Sequence, residues 1–385
     1  MRVLYDSQIF SLQRHGGISR LFSELFRYYH QRNALEWDIR LHYPDNTYIR
    51  QLQEDGIRIS DYSRFFGGVA FRGKGRIYSL YRKMLSRSSE RAETLRSLTK
   101  GQCQIFHPTY FDDYFLEELG STPLVLTVYD MVHELFPDAV TGNHVSKKKQ
   151  RLVERASKII AISESTKNDL IRLFNIDGNK IEVIYLGSAL GLKSTASIRM
   201  NKPEKYMLFV GQREGYKNFL RMLRAVAPLM SSWRSLHLVC IGGGATQNNF
   251  SKEEQRVIFD CNLAGRVSCQ IATEDELAEW YRDALCLVYP SIYEGFGIPL
   301  VEAFGCGCPV VASDVAALRE VGDEAVEYFD PLSEESIRDV VANVLASPSK
   351  RADLVAEGRH RGDYFSWERA AVQTIQVYKA IVRQS

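Results

Sequence analysis

Short runs of aliphatic and β-branched residues alternate along the chain with longer stretches in which apolar positions recur every third or fourth residue. Brief apolar runs bounded by turn residues suit buried strands, and the longer period suits helices, so the pattern predicts parallel sheets with crossover helices. In the first half, strands are predicted at 2–6, 37–43, 103–108, 123–130, 158–163 and 181–187, with helices over 17–31 and 164–175. Residues 187–205 are rich in Gly, Ser and Lys and lack apolar periodicity, which reads as a linker. The pattern then restarts, with strands at 206–211, 236–244, 266–270, 285–290 and 309–313, helices over 217–230, 273–284 and 299–304, and a last helix over 366–384.

The expected fold class is α/β, with two doubly wound Rossmann-like domains facing each other across a cleft. The divisions are an N-terminal domain at 1–190, a linker at 191–204, a C-terminal domain at 205–365 and a terminal helix at 366–385 that can return to the N-terminal domain. Open parallel sheets bind ligands outside the carboxyl ends of their strands, so the cleft is where chemistry is expected.

Composition narrows the partners. Lys+Arg and Asp+Glu nearly balance, 49 against 47, which argues against a nucleic-acid binder. Seven cysteines, an odd number without repeated spacing, read as reduced thiols and point to a cytoplasmic setting. Cys306 and Cys308 sit in a Gly- and Pro-rich connection without further ligands nearby, so they read as packing; no metal site is expected. The start, "MRVLYDSQIF", lacks signal-peptide features, and no apolar run reaches the ~20 residues of a membrane span, so any membrane contact is expected to be peripheral.

One stretch concentrates chemistry: "SIYEGFGIPLVEAFGCGCPVVAS", residues 291–313. Pro299 suits the first turn of a helix, the glycines before it let backbone pass close to a ligand, and the free amides of a helix start favour an anion. Glu294 in the turn and Glu302 about one helical turn beyond Pro299 can face one hydroxyl-rich ligand. Alone, Glu302 would read as an ordinary helix-surface charge.

The E-x7-E spacing resembles the signature of the retaining GT-B glycosyltransferases of the family-four group, which use nucleotide-sugar donors, and the resemblance extends over essentially the whole chain. It implies that Glu294 contacts the donor sugar, that Glu302 holds the ribose hydroxyls, and that the amides of Phe296, Gly297 and Ile298 approach sugar and phosphate. "FVGQREGYKNF" resembles the family loop whose cations grip the diphosphate, which implies that role for Lys217 and for Arg213, although relatives often carry arginine where Gln212 stands. "HGGISRLFSEL" resembles the loop that reaches toward the donor phosphates, implicating Gly16 and Gly17 and more weakly Arg20. "LTVYDMVHELFP" resembles a strand and "HD" loop near the donor sugar, but Tyr129 stands in place of the histidine; Asp130 remains, and the alternatives are that Tyr129 or His133 takes over sugar recognition or that His133 simply packs in the loop. Base recognition is expected near Ile271. Ser163 and Ser165 are as well suited to capping the next helix as to touching substrate.

No carboxylate is singled out as a nucleophile. The resemblance implies that the leaving diphosphate helps deprotonate the acceptor hydroxyl, with protein groups positioning reactants and stabilising charge, and with no metal or other cofactor. The segment 71–101 carries nine Lys/Arg against two glutamates with aromatic and aliphatic residues interleaved, which suits contact with an anionic membrane or a lipid diphosphate as well as a solvated helix. The expected activity is transfer of a hexose, mannose among the candidates, to a glycan or lipid-linked acceptor in surface polysaccharide assembly. Two alternatives stand beside it: a sugar-nucleotide 2-epimerase, and a catalytically silent module that binds glycan or a partner enzyme.

Overall fold

The computed structural model describes residues 1–41, 45–57, 59, 87–138, 143–188, 190, 200–213, 215–242 and 250–384. Parts of three expectations lie outside them: most of the 191–204 linker, the 71–86 portion of the basic segment, and the ends of the strands projected to residues 43 and 244.

In the N-terminal domain β1 (Arg2–Tyr5) pairs in parallel with β2 (Glu36–Ile39) and with β3 (Ile105–His107). A parallel bridge between Phe106 and Leu124 connects β3 to β4 (Val125–Val128), which continues to β5 (Lys158–Ala161) and β6 (Ile181–Val183). The C-terminal domain has one six-stranded parallel sheet formed by β7 (Lys205–Val210), β8 (Leu236–Ile241), β9 (Val267–Gln270), β10 (Cys286–Tyr289), β11 (Val310–Ser313) and β12 (Val326–Phe329), in the order β12-β11-β10-β7-β8-β9. Strand order reverses between β7 and β10, so the loops that follow these two strands flank the crevice where a doubly wound sheet receives ligand.

Each of these strands except β12 falls within a span predicted from its apolar run or within one residue of it. Strand β12 reads "VEYF", with only its two end residues buried, a pattern too short and mixed to mark a strand. The helices Thr47–Glu54, Arg87–Thr99, Asn143–Arg155, Lys252–Asp260, Glu334–Ala346 and Pro348–Gly362 add to the predicted ones. Most are polar helices held by a few apolar contacts.

The terminal helix Trp367–Gln384 packs along the helix Gly17–Arg32 of the N-terminal domain. Its Tyr378 hydroxyl lies 2.7 Å from that of Tyr5 and 2.6 Å from His107 Nδ1, and His107 Nε2 bonds Thr127 at 2.9 Å. Burial pushes His107 down to about 3, so the ring is a neutral hydrogen-bonding part of this network. Among the described residues no helix is long and apolar enough to cross a membrane.

The two domains meet at the turn after β10. Ser163 and Thr166 donate to the Gly295 carbonyl at 2.6 and 3.1 Å, and the Tyr293 hydroxyl accepts from the Met131 amide at 3.0 Å while donating to Asp169 at 2.9 Å. Glu320 of the C-terminal domain accepts from the Glu164 and Ser165 amides at 2.6 and 2.9 Å, placing its charge on the N-terminus of an N-terminal-domain helix. A Cβ on Gly295 would overlap the Tyr129 backbone carbonyl. Gly295→Ala is therefore expected to push the domains apart at a cost of about 1–3 kcal/mol. Small-angle scattering checks this by a larger radius of gyration than the unmodified protein; an unchanged radius contradicts it.

Candidate active site

Lys217 ends a 3-10 turn, Gly215–Lys217, and Asn218 follows in the left-handed conformation. The Asn218 side-chain amide donates to the Pro290 and Pro331 carbonyls at 3.0 and 2.7 Å, and the Ile292 amide donates to Tyr216 at 2.8 Å, so the loops after β7 and β10 are tied together. This brings the Lys217 ammonium 2.7 Å from Glu294 Oε1, where the Tyr289 hydroxyl also donates at 2.6 Å. Burial disfavours the lysine's charge, but Glu294, Tyr289 and Tyr216 together outweigh it and hold the pKa above the ordinary range, so Lys217 is a fixed cation.

Gly297, with φ of 103°, turns the chain into the helix Ile298–Cys306, which has Pro299 in its first turn. A side chain on Gly297 would be strained by that φ and would meet Leu318. Phe296 points into the core against Tyr185 and Phe365, so only its backbone can serve the turn. Within the following helix Glu302 is buried; its Oε1 lies 3.1 Å from Arg20 Nη1 and its Oε2 accepts from the Tyr281 hydroxyl at 3.1 Å. Burial raises the Glu302 pKa, against the opposing charge of Arg20 and the Tyr281 hydrogen bond.

Gly16 caps the helix Gly17–Arg32 without a side-chain bond. Gly17 approaches Ile298 so closely that a Cβ would lie 2.7 Å from Ile298 Cδ1. Gly17 thus faces the first residue of the Glu302 helix, whereas a Cβ on Gly16 would meet only Gln13 of its own loop.

The loop after β4 faces the turn after β10. Tyr129 is buried and donates its hydroxyl to the Thr109 carbonyl at 3.0 Å, while Asp130 Oδ1 accepts from the Val132 amide at 3.0 Å. His133 is half-buried with its pKa lowered by desolvation and by Lys149, and its Nδ1 has no hydrogen-bond partner among the described residues. Lys149, wholly buried, donates to the Asp130 carbonyl at 3.0 Å and to Glu134 at 2.7 Å.

Two predicted residues lie apart from this group. The Arg213 guanidinium is drawn toward β9, 3.0 Å from Glu254 and 2.9 Å from Cys269 Sγ. Ile271, just beyond β9, is 61% exposed. Cys306 and Cys308 are buried, and burial raises the Cys306 thiol to about 12. The residues that sequence reasoning passed over are Tyr281, Tyr289, Lys149 and Glu274. Tyr281 and Tyr289 look like core aromatics, and Lys149 belongs to the run "KKK", where a buried lysine has no signal of its own.

Comparison with known proteins identifies the family. Residues 193–361 match the family described as glycosyl transferases group 1, and residues 46–189 match Glycosyltransferase Family 4. The chain is 27% identical over 291 residues to the O-antigen chain mannosyltransferase B of Escherichia coli, covering 72% of this chain and 74% of that protein. It is 28% identical over 225 residues to the O-antigen chain mannosyltransferase RfbU of Salmonella typhimurium, covering 58% and 61%. Among solved structures, Anabaena HepE in complex with UDP and glucose superposes with a TM-score of 0.73 at 15% identity, covering 98% of this chain and 99% of that one, a likeness of fold.

The buried Lys149–Glu134 pair sets the loop that faces the turn. Lys149→Ala strands Glu134 and is expected to lower unfolding free energy by about 3–5 kcal/mol in urea titration, whereas Lys149→Met with Glu134→Leu recovers most of the loss.

Proposed function

From this premise, that the chain belongs to these two glycosyltransferase families and has the GT-B fold, we propose that it moves a hexose, mannose foremost, from a nucleoside diphosphate donor to a glycan acceptor of a surface polysaccharide. The transfer retains anomeric configuration and needs no metal. The carrying observation is the Lys217–Glu294 pair at the carboxyl ends of β7 and β10, with Glu302 on the helix that leaves the same turn. The names of the O-antigen mannosyltransferase relatives support the choice of sugar and acceptor.

Glu294 accepts from the donor sugar's hydroxyls, and Lys217, held beside it, stabilises the charge that grows on the leaving diphosphate. Arg213 adds a second cation from its place beside Glu254. Glu302 accepts from the ribose, and the exposed Ile271 offers an apolar edge to the base. With the Tyr129 hydroxyl given to Thr109, His133 is the side chain of that loop assigned to the sugar. The diphosphate oxygen takes the acceptor proton on the face from which it leaves, which accounts for retention without a protein nucleophile. The lipid-linked form of the acceptor goes with the basic segment 71–101, which would contact an anionic membrane from the cytoplasmic side. Its last part, the helix Arg87–Thr99, is anchored to the N-terminal domain by Arg91 on Asp112 and by Glu90, which accepts from Ser7 at 2.6 Å.

Calorimetry with GDP, UDP, ADP and dTDP, each in EDTA and in magnesium, is expected to find one nucleotide bound in EDTA. Glu302→Ala should weaken it by about 1.5–3 kcal/mol, and Lys217→Ala should lower kcat more than it weakens donor binding. Proton NMR of the product should show the donor's anomeric configuration. Absence of any binding favours the silent module, and conversion of the donor without acceptor favours the epimerase. Neutralising the basic residues between Arg72 and Lys100 should reduce co-sedimentation with anionic vesicles at low salt; unchanged co-sedimentation removes the membrane role.

A further inference from the structure

Around Glu302 lies a charged cluster drawn from both domains. Arg20, on the helix Gly17–Arg32, has a side chain only 7% exposed; its Nη1 is 3.1 Å from Glu302 Oε1 and 3.8 Å from Glu274 Oε1. The second distance exceeds a hydrogen bond. Arg20 Nε and Glu274 Oε1 are both buried without a hydrogen-bond partner among the described residues. Buried polar groups are almost always paired, so a donor and an acceptor left open side by side mark a place for a group that can do both.

The charges state what that group is. One guanidinium beside two carboxylates leaves the cluster with a net negative charge, which repels phosphate and favours a neutral hydroxyl. A hydroxyl oxygen accepts from Arg20 Nε while its proton goes to a glutamate, and a neighbouring hydroxyl can reach the lone pairs that Arg20 and Tyr281 leave free on Glu302. Arg20 on one oxygen and Tyr281 on the other fix the plane of that carboxylate. Glu274 opens the helix Glu274–Asp283, its side chain 41% exposed, so the cluster has a solvent side.

Building on the donor reading above, we propose that Arg20 and Glu274 complete, with Glu302, a subsite for the donor's ribose diol that is assembled only when the two domains are closed. Arg20 comes from the domain opposite to the nucleotide sheet, so a bound ribose is read across the cleft. Arg20 is thereby assigned to the sugar of the nucleotide and not to its phosphates.

The test compares GDP, UDP and ADP with their 2′,3′-dideoxy counterparts by calorimetry on the full-length protein, unmodified and as Arg20→Ala, Arg20→Lys, Glu274→Ala and Glu302→Ala. The unmodified protein should bind one ribonucleotide at least about tenfold more tightly than its dideoxy form. Arg20→Ala and Glu274→Ala should each shrink that ratio severalfold while leaving dideoxy binding nearly unchanged, and Arg20→Lys should restore part of it. Arg20→Ala weakening both nucleotides equally would make Arg20 a domain clamp alone and overturn the proposal. Glu274→Ala, at a half-exposed position, tests the subsite while leaving the Arg20–Glu302 pair in place; an unchanged ratio there overturns it too. If Glu302→Ala collapses the ratio while the Arg20 and Glu274 variants do not, the donor reading survives and this inference fails. If the unmodified protein binds dTDP but none of these three, the inference fails and the donor reading survives; if it binds none of the four, both fail together.

Discussion

Everything at the cleft depends on how closely backbone meets backbone where the turn after β10 enters the N-terminal domain. Gly295 sits against the Tyr129 carbonyl with no room for a Cβ, and its own carbonyl is held by Ser163 and Thr166. Because the turn is seated this deeply, the loop after β4, the glycine pair at 16 and 17 and the start of the Glu302 helix fall within reach of one another. A looser approach would leave the same residues on two separate surfaces.

Closure of this kind forces charged groups out of water. Lys217 with Glu294, Arg20 with Glu302 and Lys149 with Glu134 are all largely buried pairs. Desolvation offsets much of their Coulomb attraction, so such pairs add little stability over apolar packing and are better explained by what they hold in place. The Lys149 pair fixes the loop after β4, whereas the other two present charge to the cleft. On the proposed reading their arrangement separates tasks by sign: the Lys217 cation would serve a departing diphosphate, and the carboxylate-rich cluster at Glu302 would suit hydroxyls. Low dielectric strengthens both preferences over what exposed side chains could exert.

Much of the architecture was legible in the chain because a doubly wound sheet buries its strands on both faces, and such strands read as apolar runs. The turn at 291–299 was legible too, since Gly297 needs a positive φ and Pro299 a helix start, both local requirements. Strand β12 and the polar helices were not, because their burial depends on what lies over them. The side chain of Phe296 shows the same limit: the motif assigns a role to its amide, and only the tertiary structure seats its ring between Tyr185 and Phe365.

The sequence by itself determined two α/β domains, the strand-to-helix turn carrying Glu294 and Glu302, and the glycines that let backbone come close. Those properties follow from periodicity and from the conformational range of Gly and Pro, which act within a few residues. Only the tertiary structure decided that Lys217 meets Glu294, that Arg213 turns toward Glu254, and that Arg20 crosses the cleft to Glu302 from 282 positions away. Pairing between distant charges is set by the docking of whole domains, and side-chain type alone carries no record of which partner that docking brings near.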